Sequence, residues 1–238
     1  MPVYRHLKSF AKFAVGKGVF RVPLRSFGAV RYGDLSCGWE ILGGRLSAES
    51  VVYCYGIGEN VTFELDVARR HGCMVFAFDP TPKALKYVAE NVREPRLVVS
   101  PYALSDRDCR LEFYFPADDS NVSCSTDPSF RNVDSGRKIE VDALSLRSCM
   151  EKFGHTRIDL LKMDIEGEEI KVFEDIFAGG LIGSIDQICV EFHHRLRKGL
   201  VPKVKAVFRE LESRGVALVY AAANQEEFTF ARMPGRDA

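Results

Sequence analysis

Several things are missing from this chain. Its 238 residues hold no internal repeat, no low-complexity tract and no Cys-x-x-Cys pair. No apolar run approaches the ~20 residues that a membrane helix needs. Net charge is missing too, because Lys+Arg 33 stand against Asp+Glu 33. That balance excludes a wholly basic nucleic-acid coat protein, and 46% hydrophobic residues exclude disorder and collagen-like repeats. Met1 to Phe20 scatters Lys8, Lys12 and Lys17 through its apolar residues, so no secretory leader is expected there. The seven cysteines are odd in number, and Cys54 and Cys189 sit inside apolar runs, where a thiol acts as a small hydrophobe. A reducing, cytoplasmic location is expected, and the sequons at Asn60 and Asn121 are then chance matches.

What remains is a globular chain long enough to bury a full core without disulfides or metal. Its first 33 residues carry seven Lys/Arg and no acid until Asp34. Leu7, Phe10 and Ala14 recur at helical spacing between Tyr4 and Val15, with Arg5, Lys8 and Lys12 off that face. We read residues 1–45 as a basic helical extension and residues 46–238 as the main domain. The arm is expected to dock on that domain, or to touch a membrane surface, an anionic acceptor or a second subunit. Nucleic acid is not expected as a partner, since the balanced remainder offers phosphates little electrostatic footprint.

From Ser50 the pattern alternates between strand and helix. Val51 to Tyr55 is an apolar run that stops at Gly56. Helical spacing follows through Phe63, Val67 and Ala68, with Gly72 suited to the C′ position. Met74 to Phe78 ends at Asp79-Pro80, and Thr81 with Pro82 opens a helix striped by Ala84, Leu85, Val88 and Val92. Leu97–Val99, Ile158–Met163 and Ile188–Val190 are further runs. Near-continuous apolar strands between helices predict a doubly wound, mostly parallel sheet. Val216–Ala222 and Phe228–Phe230 are too close in sequence to pair except as an antiparallel hairpin. The stretch 110–136, where Leu111, Phe113 and Phe115 alternate with polar residues, reads as an excursion shaping a substrate pocket.

The first strand runs into Gly56-Ile57-Gly58-Glu59-Asn60-Val61, and glycines there allow close backbone approach to a ligand. Asp79, 23 residues after Gly56, is placed to accept hydrogen bonds from ribose hydroxyls. The third glycine of a dinucleotide fingerprint is replaced by Val61, and Glu59 would oppose a pyrophosphate. S-adenosylmethionine, which carries positive charge and no phosphate, suits the acidic loop better than NAD. A tight strand-to-helix turn with no ligand is the alternative. Asp164 sits where open α/β sheets bind ligands, although a helix N-cap role is also compatible with its position. Alternation puts Glu191 and His193 on one face. His193 there is a candidate general base for a hydroxyl. Capping the strand is the other reading of both His193 and His194. Asp164, Glu166, Glu191 and His193 together would suit Mg²⁺ or Mn²⁺, but no tight ligand spacing favours a metal. Tyr53, Tyr55 and Trp39 read as core or pocket wall.

Leu161-Lys162-Met163-Asp164-Ile165-Glu166-Gly167-Glu168-Glu169 resembles the hallmark of the FkbM-type methyltransferases. The similarity extends to Tyr55–Asn60, Phe78–Pro82, Ala103–Asp106 and Glu191-Phe192-His193, and spans roughly Val51 to Arg232. The resemblance implies a Rossmann-like domain and S-adenosylmethionine-dependent O-methylation of a sugar, glycan or natural-product hydroxyl. It also implies that Gly56 and Gly58 lie by the methionine moiety, Asp79 by the ribose, and Ala103 and Leu104 by the adenine, with Tyr55 and Pro80 also among the cofactor-binding residues. Cys54 replaces an acid and Asn60 a glycine, so Glu59 or Asn60 is expected to hold the methionine moiety instead. The alternatives are an NAD(P)-dependent oxidoreductase and a non-catalytic cofactor-binding scaffold.

Overall fold

The computed structural model describes residues 13, 18–117, 124–126, 128, 133–194 and 199–233. The helix expected over Tyr4–Val15 lies outside them but for Phe13. Of the remaining extension, Val30–Tyr32 (β1) and Trp39–Ile41 (β2) pair antiparallel as a hairpin. Tyr32, Trp39 and Ile41 are buried in the same cluster as residues of the main sheet, so the hairpin shares its core.

The main sheet begins with Val51–Tyr55 (β3), whose last four residues are buried. Helix α1 (Thr62–His71) then returns the chain, and Gly72 ends it at φ 71°. A left-handed residue there favours glycine, and its N–H closes the helix on Ala68 O. Met74–Phe78 (β4) follows, then α2 (Pro82–Asn91), which starts with proline at its first position, where the missing N–H costs nothing. Leu97–Ser100 (β5) completes this half at the sheet edge.

The excursion is a separate three-stranded sheet. Ala103–Leu104 (β6) pairs parallel with Val133–Leu144 (β8), which pairs antiparallel with Cys109–Pro116 (β7). Leu111, Phe113, Ile139 and Val141 pack together on one side, as strand alternation requires. The chain re-enters the main sheet through α3 (Leu146–Phe153), capped by the Ser145 side chain, which accepts from Ser148 N. Ile158–Met163 (β9), α4 (Glu169–Ala178), Ile185–Glu191 (β10) and α5 (Leu200–Ser213) follow. Val216–Ala221 (β11) and Glu227–Arg232 (β12) form the terminal hairpin, and β12 pairs antiparallel with β10.

The strand order is β11-β12-β10-β9-β3-β4-β5. The α/β class, the mostly parallel sheet and the antiparallel end are therefore as the sequence predicts. Two apolar clusters lie on opposite sides of it. One joins the sheet to residues of α3, α4 and α5, the other to residues of α1 and α2. The chain works outward from β3 to β5 and then outward again from β9, so order reverses between β3 and β9. Crevices at such reversal points, beyond the carboxyl ends of strands, are where open α/β sheets take ligands.

Candidate active site

A cleft of about 430 Å³ opens at that reversal point. This is within the range of about 300–1,000 Å³ usual for small-molecule sites. Its floor is the turn after β3. Gly56 has φ 75°, and a Cβ there would stand 1.8 Å from the carbonyl oxygen of Asp164. Only glycine lets the ends of β3 and β9 meet this closely. The contact is locked by Asp164 N donating to Tyr55 O and Gly56 N donating to Phe78 O.

Asp79, 6% exposed, ties the loops on either side of it. Its Oδ2 accepts from Ile57 N at 3.1 Å and Gly58 N at 2.9 Å, and its Oδ1 accepts from Thr81 N at 2.9 Å and Thr81 Oγ1 at 2.6 Å. Asn60 bonds outward instead. Its Nδ2 donates to Asp34 Oδ2, and its Oδ1 accepts from Thr62 N and Oγ1 at the start of α1. Glu59 forms an ion pair with Lys83 at 3.0 Å. Tyr55 is fully buried and stacks on Phe78 at 4.4 Å. Tyr55, Gly56, Gly58, Glu59, Asn60 and Asp79 line the cleft with Pro80, Ala103 and Leu104, so the cofactor-binding set expected from the sequence converges on one space.

The reacting end is set by neighbouring strands. Because β9 and β10 run parallel with Met163 opposite Val190, Asp164 and Glu191 emerge side by side. His193 lies two residues beyond. Its Nδ1 is 2.9 Å from Glu169 Oε1, an oxygen that also accepts from Ile165 N and Gly167 N. Those backbone donors mark Glu169 as the acceptor, so Nδ1 carries the proton. The opposite nitrogen, Nε2, stands 3.3 Å from Glu166 Oε2 and 3.8 Å from both Asp164 Oδ1 and Glu191 Oε1. Burial alone would lower the His193 pKa, but the Glu169 bond and the surrounding carboxylates hold it up to about 10. The imidazole is therefore not the near-neutral base that its place at a strand end suggests. Burial, then repulsion from Asp164, raises Glu191 to about 8, and burial also raises Asp164.

Sequence reasoning passed over Lys162. It lies in the apolar run of β9, 5% exposed, and its Nζ donates to Gly56 O at 2.6 Å and Glu64 Oε1 at 3.3 Å. Burial would neutralise the ammonium, but Glu64 and Asp164 more than offset that and keep it charged. A lysine inside a fully buried strand is the signal that could have found it, since such a charge needs a partner. Of the roof, the sequence offered only Trp39, read as core or pocket wall. Ser36, Cys37 and Trp39 close over the loop from the β1–β2 hairpin, held by Asp34, whose Oδ1 accepts from Ser36 N and Cys37 N.

Comparison with known proteins adds three findings. The methyltransferase FkbM domain family matches residues 50–217. The probable methyltransferase-like protein 24 of Homo sapiens is 27% identical over 143 residues, 60% of this chain and 32% of its own length. Its counterpart from Rattus norvegicus is 28% identical over the same spans. The chain thus spans about a third of the length of the curated relatives it matches. Among solved structures, an rRNA methylase from Streptococcus thermophilus is similar at TM-score 0.45 and 10% identity, covering 81% of this chain and 92% of that one.

Proposed function

The chain belongs to the FkbM methyltransferase domain family, and from that premise we propose that it methylates a hydroxyl of a sugar, glycan or natural product with S-adenosylmethionine. The observation that carries the reading is the charge of the cleft. Glu59, Asp79, Asp164 and Glu166 line it, as do Glu168, Glu191 and Glu227, against Lys162 as the single basic residue among the described lining. The Lys162 ammonium is already committed to Gly56 O and Glu64. A pyrophosphate would meet net repulsion there, whereas a sulfonium and an ammonium are attracted.

S-adenosylmethionine supplies an electrophilic methyl carbon on a positively charged sulfur. The chain supplies position and charge. Gly56 and Gly58 let the backbone approach the methionine end, and Asp79 holds Ile57 N and Gly58 N of that turn while facing the ribose side. Asp164 receives the hydrogen bond of the acceptor hydroxyl and aims its oxygen at the methyl carbon. His193, fixed by Glu169, keeps Asp164 and Glu191 together at the end of the two strands. Fixing oxygen, carbon and sulfur in line is worth up to about 7–11 kcal/mol of the barrier, more than a proton acceptor typically adds at about 10²–10⁴-fold. The seven free thiols support a reducing cytoplasmic setting.

Thermal-shift and calorimetric titrations test the cofactor. S-adenosylmethionine and S-adenosylhomocysteine should each stabilise the fold by about 2.7 kcal/mol at 100 times their dissociation constants. Asp79→Asn should weaken both at least tenfold, because it unties Ile57 N and Gly58 N. Stabilisation by NAD in place of the adenosyl ligands would overturn the reading.

A further inference from the structure

We propose that Asp164, Glu191 and His193 bind one divalent cation of the Mg²⁺ or Mn²⁺ class beside the cofactor, and that this ion holds the acceptor hydroxyl. The chemistry rests on the methyl-transfer reading above; the ion site stands on geometry alone.

Nε2 of His193 is the first observation. The side chain is 5% exposed, and this nitrogen points into the acids at 3.3–3.8 Å. Those separations exceed the usual range of about 2.7–3.2 Å for an N–H···O bond. They match the spacing of ligands around a common centre. Oxygen and nitrogen atoms about 2.1 Å from an octahedral ion lie roughly 3 Å apart when adjacent and a little over 4 Å apart when opposite. One donor atom each from Asp164, Glu191 and His193 falls within 4.8 Å of the others. A few tenths of an ångström of side-chain movement closes that set on an ion.

The second observation lies behind the imidazole. Metal-bound histidines generally donate their other ring N–H to a carboxylate or carbonyl, which fixes the tautomer and the ring plane. Nδ1 of His193 makes that bond to Glu169, itself 2% exposed and anchored by two backbone amides. The ring is thus oriented with Nε2 toward the cleft. Two carboxylates and a single imidazole suit a hard ion rather than a thiolate-seeking one. Charge agrees: Asp164, Glu166, Glu169 and Glu191 crowd one imidazole, each with an oxygen within 3.8 Å of a ring nitrogen, so their carboxylates repel one another. A divalent ion removes that repulsion.

In the reaction the ion draws electron density from the acceptor oxygen. The oxygen–carbon bond forms as the carbon–sulfur bond breaks, and the hydroxyl proton passes to the Asp164 oxygen that does not face the ion and then to solvent. Sulfur leaves with the electron pair as neutral thioether, so no other reactant is needed.

The full chain, stripped with EDTA and dialysed, is titrated with Mn²⁺ and followed by electron paramagnetic resonance. One ion per chain is expected, displaced by excess Mg²⁺ and unaffected by saturating S-adenosylhomocysteine or S-adenosylmethionine. His193→Ala and Glu191→Gln should each weaken Mn²⁺ at least tenfold, and Glu169→Gln by about 10–100-fold. Glu191→Gln is isosteric, and its fold is checked by circular dichroism. Exposed Glu90→Gln should change nothing. No bound Mn²⁺, binding unchanged in His193→Ala, or displacement by S-adenosylmethionine would overturn the ion site. The last result would assign the acids to the cofactor's own charge. Adenosyl binding without Mn²⁺ binding fails the ion alone; Mn²⁺ binding without adenosyl binding fails the cofactor reading alone.

Discussion

Lys162 and Glu64 form a buried pair, 5% and 0% exposed, directly beneath the glycine turn. Removing one member strands the other in a medium that solvates charge poorly. Lys162→Met should therefore cost about 3–5 kcal/mol in urea unfolding. The double variant Lys162→Met/Glu64→Leu should recover most of that loss, because no charge is then left behind. Its cofactor affinity should stay reduced, since Gly56 O has lost its donor. A lysine amid Leu160, Leu161 and Met163 is conspicuous in the sequence. Its partner is not, because Glu64 precedes it by almost a hundred positions, on an unrelated helix. For His193 more could be read: the sequence grouped it with Asp164, Glu166 and Glu191, and only the Glu169 bond to its Nδ1 went unseen.

Among elements, the hairpin β1–β2 matters most to the site and was the least visible. Its strands are three residues each and carry Arg31 and Glu40, too short and too polar for a period-two pattern to emerge. The runs at β3, β4, β9 and β10 were legible because each is buried on both faces. What anchors the hairpin is Gln187 of β10, fully buried, whose Oε1 accepts from Leu42 N while its Nε2 donates to Leu42 O. Thr229 of β12 adds a bond to Glu40 O at 2.7 Å. Gln187→Leu should cost about 1–3 kcal/mol for each backbone group left unpaired. Limited proteolysis should then cut in the loop 33–38, a change that a purely sheet-centred role for Gln187 would not produce. An amide in an apolar strand is a legible anomaly, but the sequence gives no clue to what it binds.

For the whole molecule, thiol reactivity reports how the pieces close together. Cys37 is exposed, Cys109 is half-buried and the other five cysteines are buried. A chromogenic disulfide reagent at pH 8 should find one fast thiol, one slower thiol and five that react only after unfolding. Cys37 lines the cleft, so S-adenosylhomocysteine should slow the fast phase and leave the second unchanged. A fast phase indifferent to that ligand would show that the cofactor lies away from the roof. The sheet's mostly parallel class and its antiparallel end could be read from alternation and spacing, and so could the convergence of the glycine loop with Asp79. Much of the acid rim was legible too, in Glu59, Asp164, Glu166 and Glu191, but the closure of Ser36 and Cys37 over the loop was not, because it joins residues far apart along the chain.

The bridging of the hairpin to the last strand also sets an order of events during synthesis. Arg45 donates to Arg232 O, and Thr229 holds Glu40, so the roof emerges from the ribosome nearly two hundred residues before its anchor. Contacts so distant in sequence close late and slowly. Until β12 exists, β10 has an open edge and Trp39 has no complete seat, leaving apolar surface and unpaired backbone for other chains to capture. The protein's yield in a cell is therefore tied to how the nascent chain is sheltered in that interval.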